Sequence, residues 1–357
     1  MRIFVAGATG VIGSRLVRLL VAAGHDVIGT TKTDAKLETL RASGAEPVLL
    51  DILDGEAVLR TVVAAHPDVI VHQATALSAI GNLRKLDAAF AETNRLRTVG
   101  TDNLIAAARA AGTRRFVAQS FAGWPYAREG SLVKTEEEPL DERPAAATRK
   151  TLEAIRYLEA AVLGAQELEG VVLRYGGFYG PGTSLGEGGA HLELIRQRKF
   201  PIVGSGAGLS SFIHIDDAAA ATVLAIERAA PGLYNIVDDE PAPVTEWLPA
   251  LAMAIGGETT APRAEVGWSS AWRGSRRRDD DRSTWRVERE SEAGAWLATA
   301  VPELAYGVRR PGESGACRPY VASPSSPRHP ARQDPCAGNE QARSSCGRQI
   351  SGRDPST

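Results

Sequence analysis

At 357 residues, 43% of them hydrophobic and 24% charged, the chain is long enough for one large domain or two modest ones and can bury a substantial core. Its 41 Lys and Arg nearly balance its 43 Asp and Glu, and the net charge of −2 argues against a nucleic acid or an anionic membrane as partner. Cys317, Cys336 and Cys346 lie near the C-terminus without metal-ligand spacing, so neither a disulfide framework nor a metal site is expected.

A first strand reads at residues 2–6, which leaves no room for a signal peptide, and no apolar run approaches the ~20 residues of a membrane span. A cytoplasmic protein is expected. Residues 11–23 carry the apolar period of a helix, and Gly7, Gly10 and Gly13 punctuate the turn between strand and helix. Glycine suits that turn because the chain must bend tightly, admit a pyrophosphate to its backbone and pack helix against strand. The N–H groups at the helix start would hold the phosphates, which assigns Gly7, Thr9, Gly10, Val11, Ile12 and Gly13 to a dinucleotide.

The alternation continues with strand 26–30, helix 35–42, strand 47–50, helix 56–65, strand 69–72, a long helical stretch 83–111, strand 115–119, helix 152–164 and strand 171–174. Short apolar strands alternating with helices predict an α/β chain, a doubly wound parallel sheet covered on both faces: the NAD(P)-binding Rossmann fold. Gly and Pro break the rhythm over 176–189, and smaller elements follow to about residue 255. The expected division is a dinucleotide domain at 1–175, a small C-terminal substrate lobe at 176–262 and a tail at 263–357. At the end of the second strand, where NAD enzymes usually carry an acidic residue for the ribose, stand Thr30, Thr31 and Lys32. A lysine would attract the 2′-phosphate of NADP and Thr31 could hydrogen-bond it, so charge favours NADP, with NAD left open and an ordinary surface lysine as the alternative.

Several further stretches resemble the extended short-chain dehydrogenase/reductase group, the NAD-dependent epimerase/dehydratase family. They are L-D-I-L-D at 50–54, V-H-Q-A-T at 71–75, G-T-D-N-L at 100–104, L-R-Y-G-G-F-Y-G-P-G at 173–182, F-I-H-I-D-D at 212–217 and Y-N-I at 234–236. The resemblance implies that Asp51 and Ile52 border adenine, that Gln73, Ala74 and Thr75 border the ribose side, and that the loop opening at Tyr175 lines the nicotinamide. Packing is the alternative for Ala74, and a plain helix start for Asp216 and Asp217. It also implies a small-molecule substrate and, by analogy, a homodimer.

That family's chemistry rests on a Tyr-x-x-x-Lys pair on one helix face, where the ammonium lowers the phenol's pKa, aided by a Ser or Thr after the fifth strand. Four residues after Tyr126, Tyr157, Tyr175, Tyr179, Tyr234, Tyr306 and Tyr320 stand Gly130, Ala161, Tyr179, Thr183, Asp238, Arg310 and Pro324. None is lysine. Alignment of the helix puts Thr151 and Ile155 in the pair's places, while Ser120 keeps the Ser/Thr position, so Ser120 and Thr151 are the candidate catalytic residues. Ser120 would hydrogen-bond a carbonyl oxygen or cap the following loop. A proton would come from water, Tyr126 or Tyr175, although both tyrosines also suit packing. The expected activity is that of an NAD(P)-dependent oxidoreductase or epimerase/dehydratase-like enzyme, acting on a carbonyl or secondary alcohol of a small, sugar-like molecule. The alternative is a non-catalytic NAD(P)-binding sensor or scaffold.

From about residue 262 the composition changes. Trp268, Trp272, Trp285 and Trp296 fall in a short Arg-rich stretch, and beyond Val308 the chain is rich in Pro, Ser, Gly and Arg, as in segments that bury no core. Back-translated with GC-rich codons and read one nucleotide later, residues 286–308 can encode a segment with the K-R-E-L-G-W core of the family's C-terminal end. A frameshift, genuine or introduced in sequencing, is therefore expected between about residues 261 and 278. Resequencing that DNA tests it: the expected result is a one-nucleotide shift, and an undisturbed gene with other codons in this window ends the idea.

Overall fold

The computed structural model describes residues 1–77, 86–202, 205–256 and 307–308. These belong to one structural unit, Met1–Val321; a second, Ala322–Thr357, lies outside the described residues. So do the cysteines and the expected tail, apart from Gly307–Val308.

The opening strand β1 (Arg2–Ala6) shows how the sheet is built. Ile3 and Val5 face one apolar cluster and Phe4 and Ala6 the other, all fully buried, as in a strand covered on both faces. After it come α1 (Val11–Ala22), β2 (Asp26–Thr31), α2 (Leu37–Ala42), β3 (Glu46–Leu49), α3 (Gly55–Ala65) and β4 (Val69–His72). The stretch expected as one long helix is interrupted: α4 (Leu86–Ala89) and α5 (Ala91–Arg95) precede a π-helical turn at Leu96–Gly100, and α6 (Thr101–Ala111) resumes. Residues 83–85 of that expectation lie outside the described residues. Two threonine hydroxyls bond carbonyls at this turn, Thr98 that of Asn94 at 3.0 Å and Thr101 that of Arg97 at 2.8 Å, side-chain competition of the kind that distorts helices.

Strand β5 (Arg115–Phe121), helix α7 (Arg149–Gly164) and strand β6 (Glu169–Tyr175) complete the expected pattern. The chain then makes β7 (Gly177–Tyr179), α8 (Ala190–Arg196), β8 (Leu209–Ser210) and β9 (Phe212–His214), and returns through α9 (Ile215–Arg228) to β10 (Gly232–Val237). Strand β11 (Ala242–Pro243) and helix α10 (Val244–Ala254) follow, and β12 (Gly307–Val308) pairs antiparallel with β10.

The sheet order is β12-β10-β6-β5-β4-β1-β2-β3, parallel throughout except for β12. Residues 215–237, expected with the lobe, instead rejoin the main sheet: β10 pairs with β6, and α9 lies on the same face as α1 through Ala218, Ala219, Ala221 and Ala225. Small side chains there let helix approach helix closely. Helices α3, α6 and α7 cover the opposite face through Val58, Val62, Leu104, Leu158 and Val162. A separate cluster of Ile195, Phe212, Ala242, Trp247 and Leu248 holds the lobe, with Trp247 edge-on to Phe212 at 5.3 Å and to Phe200 at 5.7 Å. Among the described residues no helix is long and apolar enough to cross a membrane.

Strand order reverses between β1 and β4, and in sheets of this kind ligands bind beyond the strands' carboxyl ends at that point. Glycines pack the turn there. A Cβ on Gly13 would stand 2.2 Å from the Gly7 carbonyl oxygen and 2.9 Å from Ala8 backbone atoms, so α1 packs on the turn only through a bare backbone. Gly13→Ala is expected to lose about 2–4 kcal/mol of stability, because backbone cannot yield as a side-chain tip can. Gly24→Ala, at φ +80 with nothing within 4 Å, is expected to lose only about 1 kcal/mol. Urea midpoints of the two variants check the difference.

Candidate functional site

The point where strand order reverses, between β1 and β4, is framed by backbone. Gly7 adopts φ +87, and a Cβ there would fall 2.7 Å from the backbone of Ala74, so the turn after β1 lies directly against the chain leaving β4. Helix α1 starts at Gly10 with no side-chain cap and no acidic residue in its first turn. Its first N–H groups are thus free of side-chain acceptors and electropositive, which suits a diphosphate. Arg15 ties the opposite wall to this helix: its Nε donates to Asp216 at 2.5 Å and its Nη2 to the Pro181 carbonyl at 2.7 Å. The Gly180–Gly182 loop is thereby held beside Val11.

At the end of β2, the Thr31 hydroxyl accepts from Thr9 at 3.3 Å and from the Thr33 N–H at 3.2 Å. Lys32 pairs with Glu92 across the surface, both well exposed. Such a pair holds weakly and can open for a stronger anion. Asp51 is exposed and shapes its own turn by accepting from the Leu53 N–H at 2.9 Å. Ile52 is buried with its side chain under Gly100, and its carbonyl accepts from Asn103 Nδ2 at 2.9 Å. Gln73 donates to the Tyr175 hydroxyl at 3.2 Å while its Oε1 is buried without a partner among the described residues; Ala74 and Thr75 are half-buried beside it. Glycine cradle, uncapped helix and orphaned Gln73 oxygen together fit a dinucleotide.

Tyr175 is 1% exposed and its phenol is bonded on both sides, accepting from Gln73 and lying 2.6 Å from the Thr222 hydroxyl, which itself donates to the Ala218 carbonyl. Burial pushes this phenol up to about 12 against the opposing pull of those bonds. It packs between sheet and α9 rather than presenting a proton.

Helix α7 turns one face to the sheet, and Thr151, Ile155 and Glu159 repeat along it every four residues. Thr151 donates to Asp87 Oδ1 at 2.8 Å and accepts from Asn94 Nδ2 at 3.2 Å. Asp87 also accepts from the N–H groups of Lys150 and Thr151, so a carboxylate from α4 caps α7. Ile155 is 1% exposed and brings no charge. Ser120, at the end of β5, donates to Glu159 Oε1 at 2.6 Å. Both hydroxyls expected to do chemistry are therefore spent on internal carboxylates.

Glu159 in turn is gripped by Arg174, opposite Ser120 in the β5–β6 register, through Nε at 2.8 Å and Nη2 at 2.6 Å. Arg174 Nη1 donates to the Tyr126 hydroxyl at 2.9 Å, and Tyr126 donates to Asn235 Oδ1 at 2.6 Å. Burial alone would lower the basicity of Arg174, but its bonds and charge attraction to Glu159 outweigh that and raise it. Burial likewise raises the Tyr126 phenol, opposed by Arg174. This row of Ser120, Glu159, Arg174, Tyr126 and Asn235 was not read from the sequence as a unit; the four-residue step from Ile155 to Glu159 was the available signal.

Below it lie two further buried groups. His72 donates Nε2–H to the Leu96 carbonyl at 3.1 Å, with Nδ1 toward the Ala74 N–H at 3.4 Å; burial first, and the Arg97 charge as well, hold it down at about 4, so it is neutral at pH 7. Arg97, on the π-helical turn, is 5% exposed, and burial lowers it to about 10 despite attraction to Glu159. On the lobe side, burial and the neighbouring Asp217 raise Asp238 to about 7.

The fold and the cradle are those of a dinucleotide-binding α/β enzyme, and α7 carries Thr151, Ile155 and Glu159 on its sheet-facing side. The chain matches the NAD dependent epimerase/dehydratase family over residues 3–237 and belongs to that family. It is 44% identical over 277 residues to the 3-diazoavenalumate denitrifying reductase of a Streptomyces species, covering 75% of this chain and 88% of the relative. It is 31% identical over 289 residues to the 2-alkyl-3-oxoalkanoate reductase of Stenotrophomonas maltophilia, covering 76% and 81%. Its fold matches the UDP-glucose 4-epimerase of Thermus thermophilus in complex with NAD, with TM-score 0.57 and 26% identity over 72% of this chain and 85% of that one. The protein is thus an NAD(P)-dependent enzyme of the oxidoreductase and epimerase type.

Because His72 is held near 4 and an unfolded histidine titrates at 6.5, the unfolded chain takes up this proton first as pH falls. Stability is then full at neutral pH and drains below 6.5, by about 2 kcal/mol between about pH 7 and about pH 5. His72→Gln is expected to remove that part of the pH dependence, as read from urea midpoints at the two pH values.

Proposed function

We propose that the protein is an NADPH-dependent reductase passing hydride to a small electrophile that needs no proton from α7, with a carbon-bound diazonium group as the favoured acceptor. One observation carries this reading: the α7 face runs Thr151, Ile155, Glu159, with hydroxyl and carboxylate bonded internally and no free acid. When bound, the nicotinamide supplies the hydride. A carbonyl taking hydride becomes an alkoxide and must be protonated at once. A diazonium, R–N2⁺, taking hydride becomes neutral R–N=N–H, which loses N2 to leave R–H, so charge and atoms balance without an enzymic acid. The 44% identical relative named as a denitrifying reductase supports this acceptor class. A carbonyl acceptor is the second reading, supported by the relative named as a 2-alkyl-3-oxoalkanoate reductase.

The chain's own residues bind, orient and exclude water. The glycine turn and α1 would hold the diphosphate, and the loop anchored by Arg15 would close over it. Choice of NADP rests on Thr31 and Lys32, with no carboxylate at the end of β2 to repel a 2′-phosphate. The exposed Lys32–Glu92 pair is weak enough to exchange Glu92 for that phosphate.

Fluorescence titration is expected to show NADPH binding about tenfold or more tightly than NADH, with Lys32→Glu abolishing the preference, a change of about 1–2 kcal/mol. With NADPH and an aryldiazonium salt, cofactor loss and N2 release should match in amount and exceed the rate without protein. Tight binding with no turnover of either diazonium or carbonyl acceptors would overturn the enzymatic reading.

A further inference from the structure

Arg97 stands apart from the other buried guanidiniums. Arg174 is held by Glu159 and Tyr126, and Arg115 by Glu169 and the carbonyls of Ala225 and Ile226. Arg97 is just as deeply buried, yet among the described residues its Nε and Nη1 have no hydrogen-bond partner. A guanidinium is a fixed fork of donors that keeps its charge, and a buried one is normally paired.

The charges facing it do not close. From α7 comes Glu159, whose Oε1 already accepts from Ser120 and Arg174 and whose Oε2 accepts from Arg174. From β4 comes His72, neutral at pH 7, and from β6 a second cation, Arg174. Among the described residues, two guanidiniums therefore share one carboxylate in the interior. Ile155 adds no countercharge.

Position supplies the second argument. Arg97 sits on the π-helical turn packed against α7, and its neighbour Leu96 holds His72, which is followed directly by Gln73 and Ala74 of the dinucleotide cradle. The Gln73 Oε1, also buried and unpartnered, marks the same end of β4 as incomplete. A neutral hydroxyl would satisfy the donors and leave the charge; an anionic oxygen does both.

We infer that Arg97 is the receptor for an anionic oxygen of the substrate, a carboxylate or oxyanion, at the floor of the site. This rests on the reductase reading for the word substrate, but the binding itself is testable alone. Full-length protein is titrated by calorimetry with benzoate and, as its neutral counterpart, benzamide, with and without NADPH. Benzoate is expected to bind at least tenfold more tightly than benzamide; Arg97→Gln should erase the difference, and Arg97→Lys should keep part of it. In turnover, 4-carboxybenzenediazonium should exceed benzenediazonium in kcat/KM at least tenfold for the wild type and about equal it for Arg97→Gln, with NADPH affinity unchanged.

Equal binding of benzoate and benzamide by the wild type overturns the inference, as does undiminished benzoate binding by a folded Arg97→Gln. Should Arg97→Gln not fold, the wild-type comparison and Arg97→Lys decide. Failure of NADPH to bind, with benzoate selectivity intact, would remove the reductase reading and leave the anion site standing.

Discussion

Glu159 and Arg174 face each other through two short hydrogen bonds with almost no exposure to water, and the character of the site follows from how completely they are satisfied. Stripping water from both ions is costly, and only a bidentate fork with further hydrogen-bond partners, a donor for the carboxylate and an acceptor for the guanidinium, compensates. Ser120 and Tyr126 are those further partners. Removing either ion would strand the other, a loss of about 3–5 kcal/mol. Groups that might otherwise meet a substrate are thus drawn into holding the sheet to α7.

The two halves of the site answer to different physics. Around Gly7 and Gly13 the requirement is absence: any Cβ would meet backbone, so glycine alone fits, and the helix start is left without a side-chain cap. Around α7 the requirement is pairing, and a charged side chain there is acceptable only with its partner on another strand.

That difference also explains what was legible in the sequence. The alternation of strand and helix and the glycine turn are local patterns, written in runs of fewer than about fifteen residues. Missing from view was anything set by long-range pairing. Ser120 reads as a free hydroxyl until Glu159 is brought to it from 39 residues away. Tyr175 reads as the edge of a ligand loop until Thr222 reaches it from α9. The long helix was legible as helix but not as broken, because the threonine bonds that accompany the π-helical turn compete with a pattern still apolar at helical spacing. The return of β10 to the sheet was hidden likewise, since a short apolar strand after a helix carries no mark of which sheet it will join.

That return has a topological cost and benefit. Because β10 comes home only after the chain has built β7, α8, β8 and β9, the excursion is threaded between two strands that lie side by side. A fragment ending at residue 175 would leave the flank of β6 as a bare, apolar strand edge, open to pairing with another molecule. The lobe is not an appendage that evolution or an engineer can cut away: exchange of its loops between relatives must keep both anchor points, so novelty is confined to insertions inside the detour.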